Sequence, residues 1–555
     1  MKTHDSYHLF LTPLSPVHIG TGESYEPTQY VIDDEGVFNE FDTGGVMRVL
    51  GDADRRQLLK IVEGKPGTDM IRDLQRFFYQ KRALLVDEAI NCIPVLAGFT
   101  HLYRQRIGQV AQQEQTGLKL INRLEIDRCA YHPGTRKPVM YGSSLKGSIR
   151  TALLDGVNQG QPAREQKGLH EFQGRLFSYL NDRGRPTDLE RDPLRLLQIS
   201  DAGWAAPREF PAAEVYLAVN RKKALVRDRE GREVRAMGEN LYQILECVSG
   251  WQYRAFSGQL NLQCLAAAGD GRQRDRRTLP EFRFDLADIA KACNNFYRPI
   301  LKAEIQELKN RGYLNSQWAE AIEQVFGLTK QRTGNGVTFL LRVGRHSGAQ
   351  SVTLNGVRKI RIMKGRGQPP EQAEAAKTWW LAASDKDQSQ DLLPFGWVLM
   401  EALPMHADIP DWPELEALCT PWRKSALEFA AIQRTRLAER EQRQIERQKQ
   451  ADALRQQAEA EVQAEATESA RIASLSENQR ELENLLARCT PANRGRGPGD
   501  QLYGQIREKL QSGIEWDEVD RRALYDKAVA IFDHLGIARD NKNRKALLRG
   551  LGLTV

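Results

Sequence analysis

Short runs in which apolar residues dominate or alternate with polar ones, bounded by glycine, proline, asparagine or aspartate, recur through roughly the first 425 residues. Tyr7 to Leu14, Val215 to Asn220, Gln259 to Leu265, Val337 to Val343 and Gly396 to Leu403 have this pattern, which predicts strands. Between them apolar positions return at helical spacing, notably around Asp69 to Val86 and Ala303 to Val325. Strands separated by helices and long loops predict an α+β architecture rather than an all-helical one.

The pattern changes abruptly near Ser425. From there to Ala487 the chain is dominated by Glu, Gln, Arg and Ala and contains neither proline nor glycine, which predicts a continuous helix. Its apolar residues, such as Leu437, Ile445 and Leu454, are spaced too irregularly for a heptad seam, so a solvated helical arm is expected in preference to a coiled coil. The segment PANRGRGPGD from Pro491 reads as a linker into a small helical unit whose apolar residues are Leu524, Ala528, Ile531, Phe532 and Leu535. The expected division is therefore 1–423 for the strand-bearing region, 424–490 for the arm, and 491–555 for linker and helical unit.

Composition narrows the class. The 555 residues hold 41% hydrophobic and 28% charged side chains, enough apolar material for two or three cores plus a solvated segment. No stretch approaches the roughly 20 consecutive apolar residues of a membrane span, and MKTHDSYHLF lacks the order of a signal peptide, so a soluble cytoplasmic protein is expected. Seven cysteines lie far apart, without a CxxC pair or clustered histidines, and read as reduced core fillers; no metal and no cofactor is expected. The formal charge of +7 is a weak bias toward a polyanion. Basic residues do cluster, at Arg221, Lys222 and Lys223 and from Arg358 through Lys359, Arg361 and Lys364 to Arg366, in what read as exposed loops.

Two segments carry candidate chemistry. In LSPVHIGTGE, Leu14 to Glu23, a strand is expected to run through Pro16 into a turn with Gly20 and Gly22 on either side of Thr21. Exposed amides there could form an anion-binding nest, and a plain β-turn is the alternative. In PVMYGSSLKGSIRTALL, Pro138 to Leu154, a Gly142-Ser143-Ser144 turn opens a helix that Ser143 or Ser144 could cap, with Gly147 in its second turn and Lys146 and Arg150 on one face. Free amides, hydroxyls and cations at a helix start suit a phosphate; the alternative is an ordinary capped helix with solvated cations.

Together and in this order, SPVHIGTGE and GSSLKGSIRTALL resemble the RAMP superfamily, and within it the family of fifth Csm subunits of type III-A CRISPR effector complexes. The resemblance extends through NRLEIDR from Asn122, DPLRLLQISDA from Asp192 and PFGWVLMEAL from Pro394, and covers roughly residues 1 to 405. It implies an RRM-like, ferredoxin-like core with insertions that grips a CRISPR guide RNA (crRNA) at its three-prime end. It also implies neighbouring Csm RAMP subunits, target RNA reached through the complex, and assistance to host nucleases in crRNA maturation. The glycine-rich loop that such subunits carry late in the chain corresponds here to residues 332–356, with Arg342, Gly344, Arg345 and His346 as RNA contacts beside His18, Gly20, Thr21 and Gly22.

Some RAMP proteins are metal-independent endoribonucleases that process CRISPR repeat RNA, which makes His18 and His346 the candidates for acid–base chemistry. Neither is accompanied in sequence by a second acid or base, so a non-catalytic subunit is the expectation. Asp33 and Asp34 in YVIDDEGVF, comparable to a cleaving loop aspartate, read as hairpin-turn residues. His4-Asp5 lacks the other residues of an HD nuclease, and no GxxxxGK[ST] loop occurs.

Overall fold

The computed structural model describes residues 4–553 apart from 110–111, 114–118, 121–123, 163–168, 182, 184–188, 207–210, 226, 228–229, 232–240, 265–279, 332–335 and 363–368. Arg332, Lys364 and Arg366 thus lie outside the described residues. The principal elements of the first part are β1 (His4–Pro13), β2 (Gly20–Tyr25), β3 (Ile126–Cys129), α1 (Gly142–Asn158), β4 (Ala202–Trp204), β5 (Glu214–Lys222), β6 (Tyr242–Cys247), β7 (Phe256–Gln263), α2 (Leu286–Asn310), β8 (Val337–Arg342), β9 (Thr378–Ala383), β10 (Trp397–Pro404) and α3 (Lys424–Ser474).

The chain divides into two compact units, Met1–Ala438 and Glu439–Val555. In the first, one sheet has the order β8-β10-β1-β7-β4 along its centre. All of these neighbours are antiparallel, with Leu9 opposite both Gly258 and Ala402. The connection β1–α1–β4–β7–α2–β10 with strands ordered β10-β1-β7-β4 is the ferredoxin-like arrangement, and β8 adds an outer strand. Both helices pack on it through Leu145, Ile149 and Ala152 of α1 and Ile289, Cys293 and Leu301 of α2, which join Leu9, Leu11 and Leu260 in one core. The alternating apolar positions of β1 explain its role: Leu9 and Leu11 are fully buried, so a one-residue slip would expose both.

The second sheet runs Leu393–Pro394, β9, β5, β6, β3, β2, with β6 and β3 parallel and the other pairs antiparallel. Its strands all arise from chain inserted between elements of the first sheet. Leu217, Val219, Ile244 and Leu381 form its apolar face, covered by Phe99, Leu102 and Tyr103 of the Ala97–Arg106 helix.

Several expected elements shift. The helix expected over Ala303 to Val325 is two, Leu286–Asn310 and Ser316–Gln331, broken where Gly312 adopts φ +69°. The strand expected through Pro16 ends at Pro13, and Gly20 to Tyr25 is itself a strand instead of a turn. Tyr30–Ile32 and Val37–Glu40 do pair as a hairpin, as the sequence predicts. Asp33 accepts from the Glu35 and Val37 amides and from Asn39 Nδ2 inside its turn, while Asp34 pairs with Arg82 at 3.0 Å. Arg221 and Lys222 are not loop residues: they end β5, and Arg221 donates to the Lys386 and Gln388 carbonyls, while Lys223, in the bend that follows, pairs with Glu307.

The division between units falls inside α3, not at its start. Within the first unit Trp422 stacks on Trp251 at 5.4 Å, Ala430 is buried, and Arg436 pairs with Asp33 and Glu35. Beyond them α3 buries nothing among the described residues, in keeping with a solvated arm. It ends at Ser474, before a helix Glu477–Ala487 capped by Ser476. In the second unit Leu482 and Leu485 of that helix share a core with Leu502, Ile506, Leu524, Ala528, Ile531, Phe532 and Leu535, so this segment packs with the terminal bundle instead of extending the arm. No described helix is long and apolar enough to cross a membrane.

Candidate nucleic-acid interface

β2 is the outer strand of the second sheet, and its start is irregular. Gly20 sits opposite Cys129 and Ser24 opposite Asp127, so four residue steps on β2 face two on β3. The bulge takes Thr21, Gly22 and Glu23 out of the ladder and exposes them. Gly22 has φ +85° with nothing near its absent side chain, and the Glu23 amide is turned in to Thr21 Oγ1 at 3.0 Å. Bulged outer strands of this kind carry accessible backbone that a regular ladder would consume.

The loop after β8 closes on the same place. Arg345 N donates to the His18 carbonyl at 2.8 Å, and a Cβ on Gly344, whose φ is +81°, would lie 2.3 Å from that oxygen. Two glycine-bearing segments more than 300 residues apart thus form one backbone cluster. The exposed Arg345 guanidinium pairs with Asp127, which also accepts from Ser24 Oγ at 3.1 Å. His346, at φ +62°, stacks on Trp380 at 4.8 Å and meets Gln243 Oε1 at 2.9 Å. Burial, with Arg345 and His18 nearby, pushes its imidazole down to about 3.

His18 is not a surface group. It is 1% exposed, its Nδ1 lies 2.7 Å from the Glu246 carbonyl, and burial lowers its pKa against the opposing effect of that bond. A Cβ on Gly20 would meet His18 Nε2 at 2.9 Å. The histidine therefore acts as packing under the bulge and accounts for the glycine. Arg342 is likewise interior: it pairs with Glu304 at 2.9 Å, donates from Nε to the Phe395 carbonyl, and lies over the Trp397 ring.

The start of α1 differs from the sequence reading. Neither Ser143 nor Ser144 caps it; Tyr141 holds the cap position, and the Gly142 amide donates to Asp201 Oδ1 at 2.8 Å. Gly142 is required by contact, since a Cβ there would lie 2.3 Å from the Ile199 carbonyl. A carboxylate already occupies the place where a phosphate was expected. Lys146 and Arg150 share a face, as expected, but both are committed inward. Lys146 Nζ donates to the Leu197 carbonyl, with burial lowering its pKa. Arg150 pairs with Asp192 at 2.7 Å and donates to Tyr179 and Gln173.

At 100° per residue Ser144 and Ser148 lie on the opposite side of α1, and Ser148 Oγ donates to the Arg342 carbonyl, tying the helix to the late loop. Between these faces runs an exposed stripe through Ser143 and Gly147, and no atom lies within 4 Å of the Cβ that Gly147 lacks. Packing does not explain that mid-helix glycine.

The structure thus groups Gly20 to Gly22 with Gly344 to His346, and sets Lys146, Arg150, Arg342 and His18 apart as internal supports. Sequence reasoning missed Asp127 and Trp380. The adjacent Trp379-Trp380 pair was the available signal for the second; the first lies in NRLEIDR, where nothing singled out its carboxylate. No group of three or more His, Cys, Asp or Glu side chains among the described residues could hold a metal.

A sequence model of the RAMP superfamily matches residues 10–348. No curated protein matches. Among solved structures, a chain of a type III-A CRISPR-Cas Csm–crRNA–target RNA ternary complex aligns at TM-score 0.40 and 18% identity, covering 72% of this chain and 100% of that one. Csm5 of T. onnurineus aligns at TM-score 0.38 and 16% identity, covering 70% of this chain and 99% of that one.

Proposed function

The chain belongs to the RAMP superfamily, and from that premise we propose that it is a non-catalytic crRNA-binding subunit capping the three-prime end of a type III-A Csm effector complex. The observation that carries the reading is the cluster of Gly20–Gly22 backbone, in a segment that resembles fifth Csm subunits, and the late Gly344–His346 loop around one exposed arginine. Backbone amides, an open glycine stripe on α1 and Arg345 suit the sugar–phosphate chain of a single-stranded RNA, which is gripped without reading its bases. Adjoining Csm RAMP subunits, target RNA held through the complex, and host nucleases that mature the crRNA are the partners in this reading.

The geometry favours binding over cleavage by this chain. His18 is buried with Nδ1 engaged, His346 is held neutral down to about pH 3, and Asp33 is consumed by its own turn and Arg436. An endoribonuclease acting by general acid–base chemistry needs a group that reaches its substrate and titrates near neutrality.

The test is purification of the protein from cells carrying a CRISPR array, sequencing of the copurified RNA, and titration of binding against salt. Short repeat–spacer RNA and an affinity that falls with salt are expected. Absence of RNA, or cutting of repeat RNA that is lost in His18→Ala or His346→Ala, overturns the proposal.

A further inference from the structure

The second unit has two ends of opposite character. Its bundle consists of α4 (Glu477–Ala487), α5 (Gln501–Ser512), α6 (Glu518–His534) and α7 (Lys542–Arg549). Ser476, before α4, donates to Asp520 at the start of α6, and His534 at the end of α6 meets the Thr490 carbonyl after α4, so these two helices run the same way. The other two run back: the Gly497 amide, before α5, donates to the Leu535 carbonyl, and Arg544 of α7 pairs with Asp533 at 2.6 Å. The connections that precede α5 and α7 therefore meet at the end of α6. Residues 494–500 and 533–545 carry six basic and three acidic side chains there, whereas 513–520 at the opposite end carry four acidic and none basic.

The basic end is anchored and incompletely neutralised. Gly495 and Gly497, at φ +76° and +68°, turn the chain so that their amides donate to the His534 and Leu535 carbonyls. Arg494 and Arg496 flank the first of these glycines and are exposed. Arg496 reaches Asp500 at 4.0 Å, while the side chains of Arg494, Lys542 and Lys545 have no partner among the described residues. Asp533 is taken up by Arg539 and Arg544. Cations beside the end of α6 suit its dipole, but Lys542 and Lys545 stand in the first turn of α7, where the dipole opposes them and no acidic residue accompanies them. Local helix electrostatics thus leave the lysines unexplained. A protein partner would need apolar anchors, and the large apolar side chains that the bundle exposes, Ile514 and Val519, lie at the other end. Tyr503 of α5 is turned inward onto Phe532, which leaves charge without an aromatic surface.

We propose that this end of the second unit is a further RNA contact, with Arg494, Arg496, Lys542 and Lys545 on the phosphates. The inference rests on the RNA-binding reading and adds to it a contact outside the family-matched residues 10–348. Charge alone carries no base readout, so the contact strengthens binding equally for every sequence. Being on the same chain as the first unit's interface, it raises the effective concentration of RNA there.

The experiment uses the full chain carrying Arg494→Ser with Arg496→Ser, Lys542→Ser with Lys545→Ser, or Arg522→Ser with Arg549→Ser. The last pair removes equal charge from exposed positions toward the other end. Arg345→Ser reports on the first unit, and every variant is checked by thermal melting. Single-stranded RNAs of repeat and of unrelated sequence are titrated by fluorescence anisotropy over a range of salt. Each of the first two pairs is expected to lower the log–log salt slope by about 1.4, two contacts at about 0.7 each, for both RNAs alike, and the third pair to leave it unchanged. Unchanged slopes in the first two pairs, with a reduced slope in Arg345→Ser, would overturn this contact and leave the function standing. Equal losses in all three pairs would reduce it to net charge and overturn it too. So would variants that bind RNA normally but no longer copurify with neighbouring subunits, which would assign this end to a protein. A wild-type chain that binds neither RNA would overturn the function itself.

Discussion

Arg342 and Arg345 stand three residues apart in one glycine-rich segment and have opposite fates in the structure, which makes them a sharp test of the interface. Arg342 is 4% exposed and Glu304 8% exposed at their side chains, joined at 2.9 Å, with Trp397 Nε1 donating to the second Glu304 oxygen at 2.9 Å. Arg342→Met leaves a buried carboxylate with one donor. Breaking such a pair costs about 3–5 kcal/mol, and the remaining indole bond places this case at the lower end. Arg342→Met with Glu304→Leu removes both charges and leaves the Trp397 indole and the Phe395 carbonyl without these partners, a residual cost of about 2 kcal/mol. Arg345→Ser breaks an exposed pair with Asp127, worth about 0–1 kcal/mol. Urea unfolding followed by tryptophan fluorescence should therefore order the midpoints as wild type and Arg345→Ser, then the double variant, then Arg342→Met. RNA titration should single out Arg345→Ser, whose log–log salt slope should fall by about 0.7 for a single strand. A fully stable Arg342→Met that has lost RNA affinity would make Arg342 the contact, and an Arg345→Ser with unchanged affinity and slope would remove that residue from the interface.

Truncation should be sensitive to a few turns of helix. A chain ending after Ala438 should melt with the first transition of the full protein, whereas one ending after Arg423 loses Arg436 from Asp33 and should be less stable by about 1–3 kcal/mol, readable by calorimetry. Two glycines should respond oppositely in stability: Gly344→Ala should destabilise by about 2 kcal/mol or more because of its φ and its contact with His18, while Gly147→Ala should stabilise by about 1 kcal/mol in denaturant titration yet weaken RNA binding. For pH, an unfolded His346 takes up a proton near its ordinary 6.5 that the native side chain refuses until about 3, so the native state loses stability as pH falls through that window. His346→Gln should flatten the acid-side decline of melting temperature, and an unchanged profile would show that the imidazole is not held neutral.

What the sequence disclosed was what depends on neighbours in the chain. The hairpin around Asp33 follows from its own turn residues, and the buried stripe of Leu524, Ala528, Ile531 and Phe532 from helical spacing. The break at Gly312 was legible too, since a glycine followed by Asn315, whose Oδ1 accepts from the Trp318 amide, is an end-and-restart signal that the longer helical reading passed over. The closure of α1 was not, because its partner Asp201 lies 59 positions away, and neither was the commitment of Arg342 to Glu304, 38 positions earlier. Sequence spacing ranks cations by type, whereas burial and partners decide which of them reach a ligand.

That sorting bears on how strongly the protein can hold a polyanion. Lys146, Arg150, Arg221, Lys223 and Arg342 look available in the sequence, yet each is drawn inward or paired. With the formal charge only +7, few arginines remain at the described interface to release counterions. The salt slope of the isolated chain should therefore be shallower than that of a protein making about 6–10 phosphate contacts. Such a subunit would hold RNA through backbone amides and close approach at Gly22 and Gly147, supplemented by the neighbours that share the guide. Shape at a short RNA end can be selected that way, whereas a strongly basic face would capture any passing RNA. Weak binding alone and firm binding on assembly are then two consequences of the same allocation of arginines.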